Sequence, residues 1–268
     1  MITTTEALKK FVEEMAESPG SDDDIHAVID EVIRLLNSGD LKIAEKINGS
    51  WIVNSWIKQA ILLGFKYRSS KKQEFGGFDK FGILEFDYEN PRYRRAPGAI
   101  IREGTYIGDD SVIMPSFINI GSYIGERTMI DINAAIGSCA QIGKDCHISA
   151  LACIGGVLEP VSARPVIIED NCFIGAHSSI LEGVIVGENS VIASGVTISA
   201  STKIIDRSSG KTYIGEIPRD SVVVSGSYQS NDLNVSCVII VKTVDAKTKQ
   251  KSSINEILRT CLHEENVI

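Results

Sequence analysis

The sequence predicts a mainly β fold, in which a parallel β-helix follows a helical N-terminal domain and ends in a small C-terminal cap of one strand and one helix. The main observation is a large aliphatic residue at every sixth position, beginning at Ile101 and ending at Ile204. Because six is a multiple of the two-residue period of a strand and not of the 3.6-residue period of a helix, these side chains share one strand face. Short repeats of this kind stack into solenoids that bury a continuous core.

The six-residue recurrence has two interruptions. One residue is missing after Ile113, and an excursion, GVLEPVSARPVI, occupies the region near 156–167. The aliphatic positions are Ile101, Ile107, Ile113, Ile118, Ile124, Ile130, Ile136, Ile142, Ile148, Ile154, Ile168, Ile174, Ile180, Val186, Ile192, Ile198 and Ile204.

Small residues accompany these aliphatic positions. A small or β-branched residue often stands four positions later, as at Ala134 and Cys146, so each strand is expected to place one large and one small side chain inside. Glycine often follows the aliphatic residue directly, as at Gly125 and Gly143. We attribute these glycines to tight corners, whose backbone angles other residues tolerate poorly.

Residues 1–98 are expected to form a mostly helical N-terminal domain. Thr3 and Glu6 fit a capping box at the start of a first helix, and Ser21 is expected to cap a second helix. The pair Asn48-Gly49 predicts a hairpin turn, and NSWIKQAILLGFKY predicts a third helix. The polar stretch that ends in PRYRRAPG predicts a loop before the first coil.

The β-helix is assigned to residues 99–226 and the cap to residues 227–268. In the cap, SCVIIVKTV is apolar on both faces and predicts a covered strand. Ser253 and Glu256 fit a capping box at the start of a final helix, SINEILRTCL. Such elements would cover the last coil, which would otherwise expose an aggregation-prone edge.

Composition and charge exclude several classes of function. The chain has 268 residues with a net charge of -8, which argues against nucleic acid and against an anionic membrane surface as partners. No apolar run is long enough to span a membrane, and the N-terminus lacks the pattern of a signal peptide, so we expect a cytoplasmic protein. The six cysteines form no C-x-x-C pair, which predicts buried reduced thiols and no metal site.

Motifs outside the hexads are more specific than the repeat itself. They are LNSGDLKIAEKINGSW, RTMIDINAAIGSCAQIGK, CIGGVLEPVSARPVIIEDNCFIGA, LEGVIV, SVVVSG and VKTVDAKTKQKSSINEILRT. The chain resembles the hexapeptide-repeat acyltransferases in its coils and, through these motifs, the tetrahydrodipicolinate N-succinyltransferase family over nearly its whole length. The resemblance implies triangular coils of three hexads that wind left-handed.

The resemblance also implies an activity and an assembly. Members of the family transfer a succinyl group from succinyl-CoA to the amine of ring-opened tetrahydrodipicolinate, L-2-amino-6-oxopimelate, in lysine and diaminopimelate biosynthesis. The expected assembly is a homotrimer with active sites between neighbouring β-helices. No metal and no further cofactor is implied.

Two residues are candidates for binding the acceptor and for catalysis. Asp131 occupies the position after an aliphatic residue at which Gly125, Gly137 and Gly143 stand elsewhere, so its carboxylate should project from the coil. The family resemblance assigns it a role in catalysis and in substrate binding. The same resemblance assigns Arg94 to substrate binding, since a planar guanidinium binds carboxylates at two points.

A charged turn supplies candidates for the CoA end of the site. Lys203, Arg207 and Lys211 lie in STKIIDRSSGKTY and could contact phosphates. A solvated turn would have the same composition, so the residue types alone do not decide between the two.

The chain departs from the family at one position. Ser179 stands where the family often has a glutamate that is paired with the aspartate as a catalytic carboxylate. This departure concerns the two-carboxylate form of the mechanism and not the substrate assignment. Two alternative functions also stay open, namely another CoA-dependent hexapeptide-repeat acyltransferase, for which His147 would be the candidate base, and a structural solenoid without activity. A zinc hydratase on the same coils would need three histidines, whereas the coils contain only His147 and His177.

Overall fold

The computed structural model describes residues 4–18, 21–73, 77–245 and 248. Its N-terminal part contains three helices, α1 (Thr5–Glu17), α2 (Asp22–Ser38) and α3 (Ser55–Tyr67). The side chain of Ser21 caps α2, as predicted, by accepting a hydrogen bond from the backbone of Asp24. The cap of α1 is Thr4 instead of the predicted Thr3, because the Thr4 hydroxyl is the group that accepts from Ala7.

Two short hairpins belong to this N-terminal part. Strands β1 (Ala44–Ile47) and β2 (Ser50–Val53) pair in antiparallel register. Asn48 and Gly49 connect them at φ values of 49° and 83°, which confirms the predicted tight turn. Strands β3 (Lys71–Lys72) and β4 (Phe78–Asp79) form a smaller pair within the predicted loop.

From Arg94 onward the described chain forms mainly short strands that advance in coils, followed by two long strands. They are β5 (Arg94–Arg95), β6 (Ile100–Ile101), β7 (Tyr106–Ile107), β8 (Val112–Ile113), β9 (Phe117–Ile118), β10 (Tyr123–Ile124), β11 (Met129–Ile130), β12 (Ala135–Ile136), β13 (Gln141–Ile142), β14 (His147–Ile148), β15 (Cys153–Ile154), β16 (Ile167–Ile168), β17 (Phe173–Ile174), β18 (Ser179–Ile180), β19 (Ile185–Val186), β20 (Val191–Ile192), β21 (Thr197–Ile198), β22 (Lys203–Asp206), β23 (Thr212–Ile214), β24 (Glu216–Ile217), β25 (Ser221–Ser230) and β26 (Leu233–Thr243).

Successive strands alternate among three sheets, as a parallel β-helix requires. Sheet I has the order β5-β8-β11-β14-β17-β20-β25-β26-β22-β23, sheet II the order β6-β9-β12-β15-β18-β21, and sheet III the order β7-β10-β13-β16-β19-β24. Pairing between coils is parallel, and Met129 lies opposite His147, one coil of 18 residues later. Sheet I begins earlier than predicted, since Arg94 and Arg95 pair with Val112 and Ile113 where the sequence predicted a loop.

The hexad aliphatic residues fill the interior of the coils. All seventeen are buried, and they form one continuous cluster with small residues such as Ala134 and Cys146. A second cluster joins the apolar stripes of the three helices to Ile120 and Cys139 on the β-helix. The N-terminal domain therefore packs on the coils through its hydrophobic face, which fixes its position.

The glycines after the aliphatic residues have a different cause from the one predicted. Gly125 and Gly143 are absent from the residues with positive φ, so these corners do not need the conformational freedom of glycine. A Cβ atom at Gly125 would lie 2.5 Å from the backbone of Gly143 and Lys144 in the next coil. The close approach of neighbouring coils excludes a side chain there. The left-handed backbone angles fall instead on other corner residues such as Arg127 and Asn133.

Near its C-terminal end, the described chain forms a long hairpin. Strands β25 and β26 pair in antiparallel register, and β26 also pairs with β22, so the predicted strand over SCVIIVKTV is present inside β26. The predicted helix with Ser253 and Glu256 lies outside the described residues. Within the described ranges, no helix is both long and apolar enough to cross a membrane.

Candidate active site

Asp131 follows β11 at the edge where sheet I turns towards sheet II. Its side chain is 26% exposed, and Oδ1 accepts a hydrogen bond of 2.7 Å from the backbone N–H of Ile132. This local bond fixes the carboxylate at the corner. The other oxygen, Oδ2, faces His147, whose Nε2 atom is 3.6 Å away. The structure thus brings together two titratable groups that the sequence treated separately.

His147 lies one coil after Asp131 on the outer face of sheet I. Its ring contacts the edge of Phe173 in the following coil, with centroids 5.1 Å apart. From the sequence, His147 was a candidate base only for an alternative hexapeptide-repeat acyltransferase. The coil length could have predicted that His147 lies near Asp131. His147 is 18 residues after Met129 and therefore lies beside it in the next coil, and Met129 is two residues before Asp131 on the same outward face.

Arg94 lies on β5, at the start of the same sheet. Its Nη2 atom contacts Sδ of Met114 at 3.5 Å, and its buried Nε atom has no hydrogen-bond partner among the described residues. A guanidinium without an anionic partner is costly to hold in a half-buried position unless a ligand supplies the acceptor. Arg94 is therefore suited to bind a carboxylate.

The two neighbouring arginines, Arg92 and Arg95, already have hydrogen-bond partners within the chain. Arg92 forms an ion pair of 2.9 Å with Asp109. Arg95 occupies the inward position of its rung and donates to the backbone carbonyls of Leu84 and Ala99, so it closes the first coil. Of the three arginines in PRYRR, only Arg94 therefore offers a guanidinium that is not already bonded to a carboxylate or a carbonyl of the described chain.

Arg94 and Asp131 lie two coils apart along the same edge of the prism. β5 pairs with β8, and β8 pairs with β11, so the two backbones are separated by about 10 Å. Met114 occupies the coil between them. In the coil after Asp131, the buried hydroxyl of Ser149 makes no hydrogen bond with any described residue. The outer side of sheet I thus presents a cation in the column of Met129, and a carboxylate and an unpaired hydroxyl at the adjoining corner.

Ser179, which stands where the family often has a glutamate, and the nearby Glu182 do not contact Asp131. Ser179 lies on the outer face of sheet II, in the column of Cys153 and two coils beyond β12. Glu182 accepts a hydrogen bond of 3.1 Å from the backbone of Ala200, so its carboxylate stabilises a later corner. Neither position therefore supplies a second carboxylate to Asp131 within the described part of one chain.

The three candidate CoA-binding cations are distant from this edge. Lys203 covers the ring of Tyr228 at 4.1 Å, and Lys211 covers the ring of Tyr213 at 4.5 Å. In the strand order of sheet I, β14, β17, β20, β25 and β26 lie between β11 and β22. The structure does not bring these cations together with Asp131, and an extended ligand would be needed to contact both regions.

The turn that carries Arg207 is ordered by its own side chains. Hydrogen bonds from Ser209 and Ser208 lower the pKa of Asp206 to about 2. Arg207 itself is exposed at this turn. A phosphate in solution could therefore contact its guanidinium.

Thiols and metal ligands contribute no further site in the described part of the chain. Cys139, Cys146, Cys172 and Cys237 are buried and reduced, as expected, and Cys153 is partly buried. Burial raises the pKa of Cys139 to about 12, which makes it unreactive. No group of three or more His, Cys, Asp or Glu side chains among residues 4–18, 21–73, 77–245 and 248 is arranged to hold a metal ion.

Comparison with known proteins identifies the family. Residues 5–67 match the model described as tetrahydrodipicolinate N-succinyltransferase N-terminal, and residues 165–200 match the model described as hexapeptide repeat of succinyl-transferase. The chain is 54% identical to the 2,3,4,5-tetrahydropyridine-2,6-dicarboxylate N-succinyltransferase of Wolbachia sp. subsp. Brugia malayi, over 87% of this chain and 88% of that protein.

A second relative covers more of the sequence. The enzyme of the same name from Dechloromonas aromatica is 47% identical over 95% of this chain and 99% of its own length. The similarity therefore includes the helical domain, the coils and the edge that carries Arg94 and Asp131. On these grounds the chain belongs to the tetrahydrodipicolinate N-succinyltransferase family.

Proposed function

We propose that this chain transfers a succinyl group from succinyl-CoA to the amine of L-2-amino-6-oxopimelate, the ring-opened form of tetrahydrodipicolinate. The observation that carries the proposal is the edge on which Arg94, free of any anionic partner among the described residues, lies two coils from Asp131. The names of relatives that are 47–54% identical support the substrate assignment. The location proposed with it is the cytoplasm.

Arg94 is assigned to an acceptor carboxylate. Its planar guanidinium can donate two parallel hydrogen bonds, and the buried Nε atom lacks an acceptor among the described residues. Binding the carboxylate there would leave the amine free to extend along the edge towards Asp131, about 10 Å away.

Asp131 is assigned to the proton of the attacking amine. The amine nitrogen forms a C–N bond with the thioester carbonyl carbon while its proton passes to the Asp131 carboxylate. Collapse of the tetrahedral intermediate breaks the C–S bond, and the CoA thiolate leaves and takes up the proton. His147, with Nε2 at 3.6 Å, lies beside the carboxylate and orients it for this transfer.

The donor would extend along the β-helix towards the cations at the far end of sheet I. Lys203, Arg207 and Lys211 are exposed there and would contact phosphates of CoA. The separation of these cations from β11 in sheet I favours an extended thioester over a compact donor. No metal is needed for this chemistry.

The proposed assembly is a homotrimer of left-handed β-helices. Four large apolar side chains, Ile100, Phe117, Ile132 and Leu151, are each at least 40% exposed on the outer face of sheet II and its corner beside Asp131. Packing of a second copy would bury this strip and provide the second wall of the site. Light scattering should give three times the 29.1 kDa of the chain, and a monomer would contradict the assembly.

The activity is tested by release of free CoA thiol. Release should require both succinyl-CoA and tetrahydrodipicolinate, and acetyl-CoA should be a poorer donor. Preference for acetyl-CoA, or for a different acceptor, would favour another hexapeptide-repeat acyltransferase. No release with any acyl donor would favour the structural solenoid.

A further inference from the structure

The hairpin of β25 and β26 extends beyond the prism of coils. β25 runs parallel to β20 in sheet I, and Val224 holds the position in its coil that Asp131 holds in an earlier coil. The preceding coils turn into sheet II at this edge, whereas β25 continues as one strand to Ser230, about 20 Å further along. We call the outer half of the hairpin, residues 227–236, the arm.

One face of the arm is apolar and exposed. Tyr228 pairs with Val235, and Leu233 is two residues before Val235 on the same strand, so the three side chains share a face. Leu233 is 72% exposed and Val235 39%. This face continues the outer face of sheet I, because Val223 and Ile240 nearer the coils alternate with it and point inward. The opposite face of the arm is polar and consists of Ser227, Gln229, Asn234 and Ser236.

The arm lacks the features that stabilise and protect an exposed ribbon. Among the described residues, β25 pairs only with β26 beyond Val223, and β26 pairs with β22 only from Val238 onward, so both edges of the arm are open there. A two-stranded ribbon is marginally stable in water, and an apolar sheet face needs a covering layer. Open edges usually carry lysine or proline, whereas the arm has neither, and Asp232 at its turn is its only charged residue. These features indicate a surface that is covered in the working protein.

The position of the arm indicates what covers it. Sheet III is covered by the chain's own N-terminal domain, where Trp51 packs against Ile167 and Ile185. A ring of identical copies uses two different surfaces of each copy, which leaves sheets I and II and the edge between them. Ile132 and Leu151, in the apolar strip already assigned to the subunit contact, lie on this edge. The arm projects past the same edge and therefore extends towards the neighbouring copy.

Charge also favours a second copy as the partner of the arm. The chain carries a net charge of -8, so identical copies repel each other wherever their acidic surfaces meet. The apolar face of the arm brings no carboxylate into such a contact. Lys203, which lies 4.1 Å above the ring of Tyr228, adds a cation at its base. A face with one cation and no anion is suited to contact an acidic copy.

We propose that the arm of one copy packs its apolar face, formed by Tyr228, Leu233 and Val235, against the last coils of the neighbouring copy. The inference rests on the proposed homotrimer and adds a second contact to it. The apolar strip beside Asp131 belongs to the first coils and the arm follows the last ones, so the two contacts lie at opposite ends of the prism. A contact as small as the arm does not hold copies together by itself, so it should tighten the trimer and not create it.

Photocrosslinking tests which surface covers the arm. The purified full chain with Leu233→p-benzoylphenylalanine should give, after irradiation, a covalent species of two chains on a denaturing gel. Peptide mapping should place the attachment in the last coils of the second chain. The matched control carries the same group at Asn234, an exposed residue on the polar face of the same strand, and should give little of this species.

Subunit exchange measures how much the arm tightens the trimer. The double variant Leu233→Asn, Val235→Asn should exchange subunits with labelled wild type at least about tenfold faster, because the apolar contact is lost in each of its arms. The double variant Gln229→Ala, Asn234→Ala changes the polar face of the same arm and should exchange at the wild-type rate. All four side chains are exposed or at the tip of the hairpin, so far-UV circular dichroism of both variants should match the wild type.

Four outcomes would overturn the proposal. These are cross-links from Leu233 that stay within one chain, no cross-link from Leu233, equal cross-linking from Asn234, and an unchanged exchange rate in the folded Leu233→Asn, Val235→Asn variant. The first would assign the apolar face to the chain's own residues. A wild-type mass of 29.1 kDa in light scattering would instead remove the proposed homotrimer and the arm contact together. CoA release by the wild type is measured separately, so the transfer reaction can stand when the arm contact fails.

Discussion

Asp131→Asn should abolish most of the turnover while leaving the fold intact. The asparagine side chain can still accept the 2.7 Å bond from Ile132 through its amide oxygen, so the corner geometry is preserved. The substitution removes the negative charge and the proton acceptor from the oxygen that faces His147. Because the side chain is at the surface of the coil, little packing is lost.

The size of the effect follows from the role assigned to the carboxylate. Loss of a positioned general base typically costs about 10²–10⁴-fold in rate, which corresponds to about 3–5 kcal/mol in the activation barrier. The turnover number at saturating succinyl-CoA and acceptor should fall by this factor. The melting temperature should stay within about 2 °C of the wild type, since surface substitutions usually change stability by less than about 0.5 kcal/mol.

The matched control is Asp109→Asn, which removes an exposed carboxylate from another coil corner. This control should retain normal turnover. The reasoning is refuted if Asp131→Asn keeps near wild-type turnover while His147→Gln loses it, because the base would then be the histidine. Equal loss in both variants, with Asp131→Asn also raising the acceptor KM, would still agree with the paired arrangement.

Three further predictions concern the acceptor, the coils and the domain contact. Arg94→Lys should raise the KM for the acceptor about tenfold or more and leave the KM for succinyl-CoA unchanged, and steady-state kinetics showing the reverse would reassign Arg94. Gly125→Ala should lower the melting temperature by several degrees and by more than Gly195→Ala, since a Cβ atom meets backbone at 2.5 Å in the first case and nothing within 4 Å in the second; the opposite order would restore the corner-angle explanation. Lys58 is fully buried and donates to the carbonyl of Ala163 at 2.7 Å, and burial lowers its pKa below the ordinary 10.5. The unfolded chain therefore binds more protons, so the free energy of unfolding should rise as pH increases towards 10.5, and chemical denaturation of Lys58→Met should lack this part of the rise.

The coils were predictable because their physical requirement is local and repeated. Each six-residue side of a coil needs one large aliphatic side chain inside, and the spacing of Ile124, Ile130 and Ile136 records this directly. The first rung was missed because Arg95 occupies its inward position and is satisfied by backbone carbonyls, which no hydrophobic pattern reveals. The reason for glycine at positions such as Gly125 could not be predicted, because it depends on the distance between neighbouring coils, which the sequence does not contain.

The residues of the candidate active site could be predicted from the sequence, but the contacts between them could not. Asp131 was found because it breaks the glycine pattern, and Arg94 was found through the family resemblance. The pairing of Asp131 with His147 depends on which coils are neighbours, and the engagement of Arg92 and Arg95 depends on where their side chains find acceptors.

The central claim, succinyl transfer to an amine at the Arg94–Asp131 edge, is tested most directly by mass spectrometry of the product. Purified wild-type protein, succinyl-CoA and tetrahydrodipicolinate should give an acceptor that has gained one succinyl group on nitrogen, with one free CoA formed per product. The same mixture with Asp131→Asn should give product at least about 100-fold more slowly. A product acylated on oxygen, no acylated product at all, or equal formation by Asp131→Asn would contradict the account.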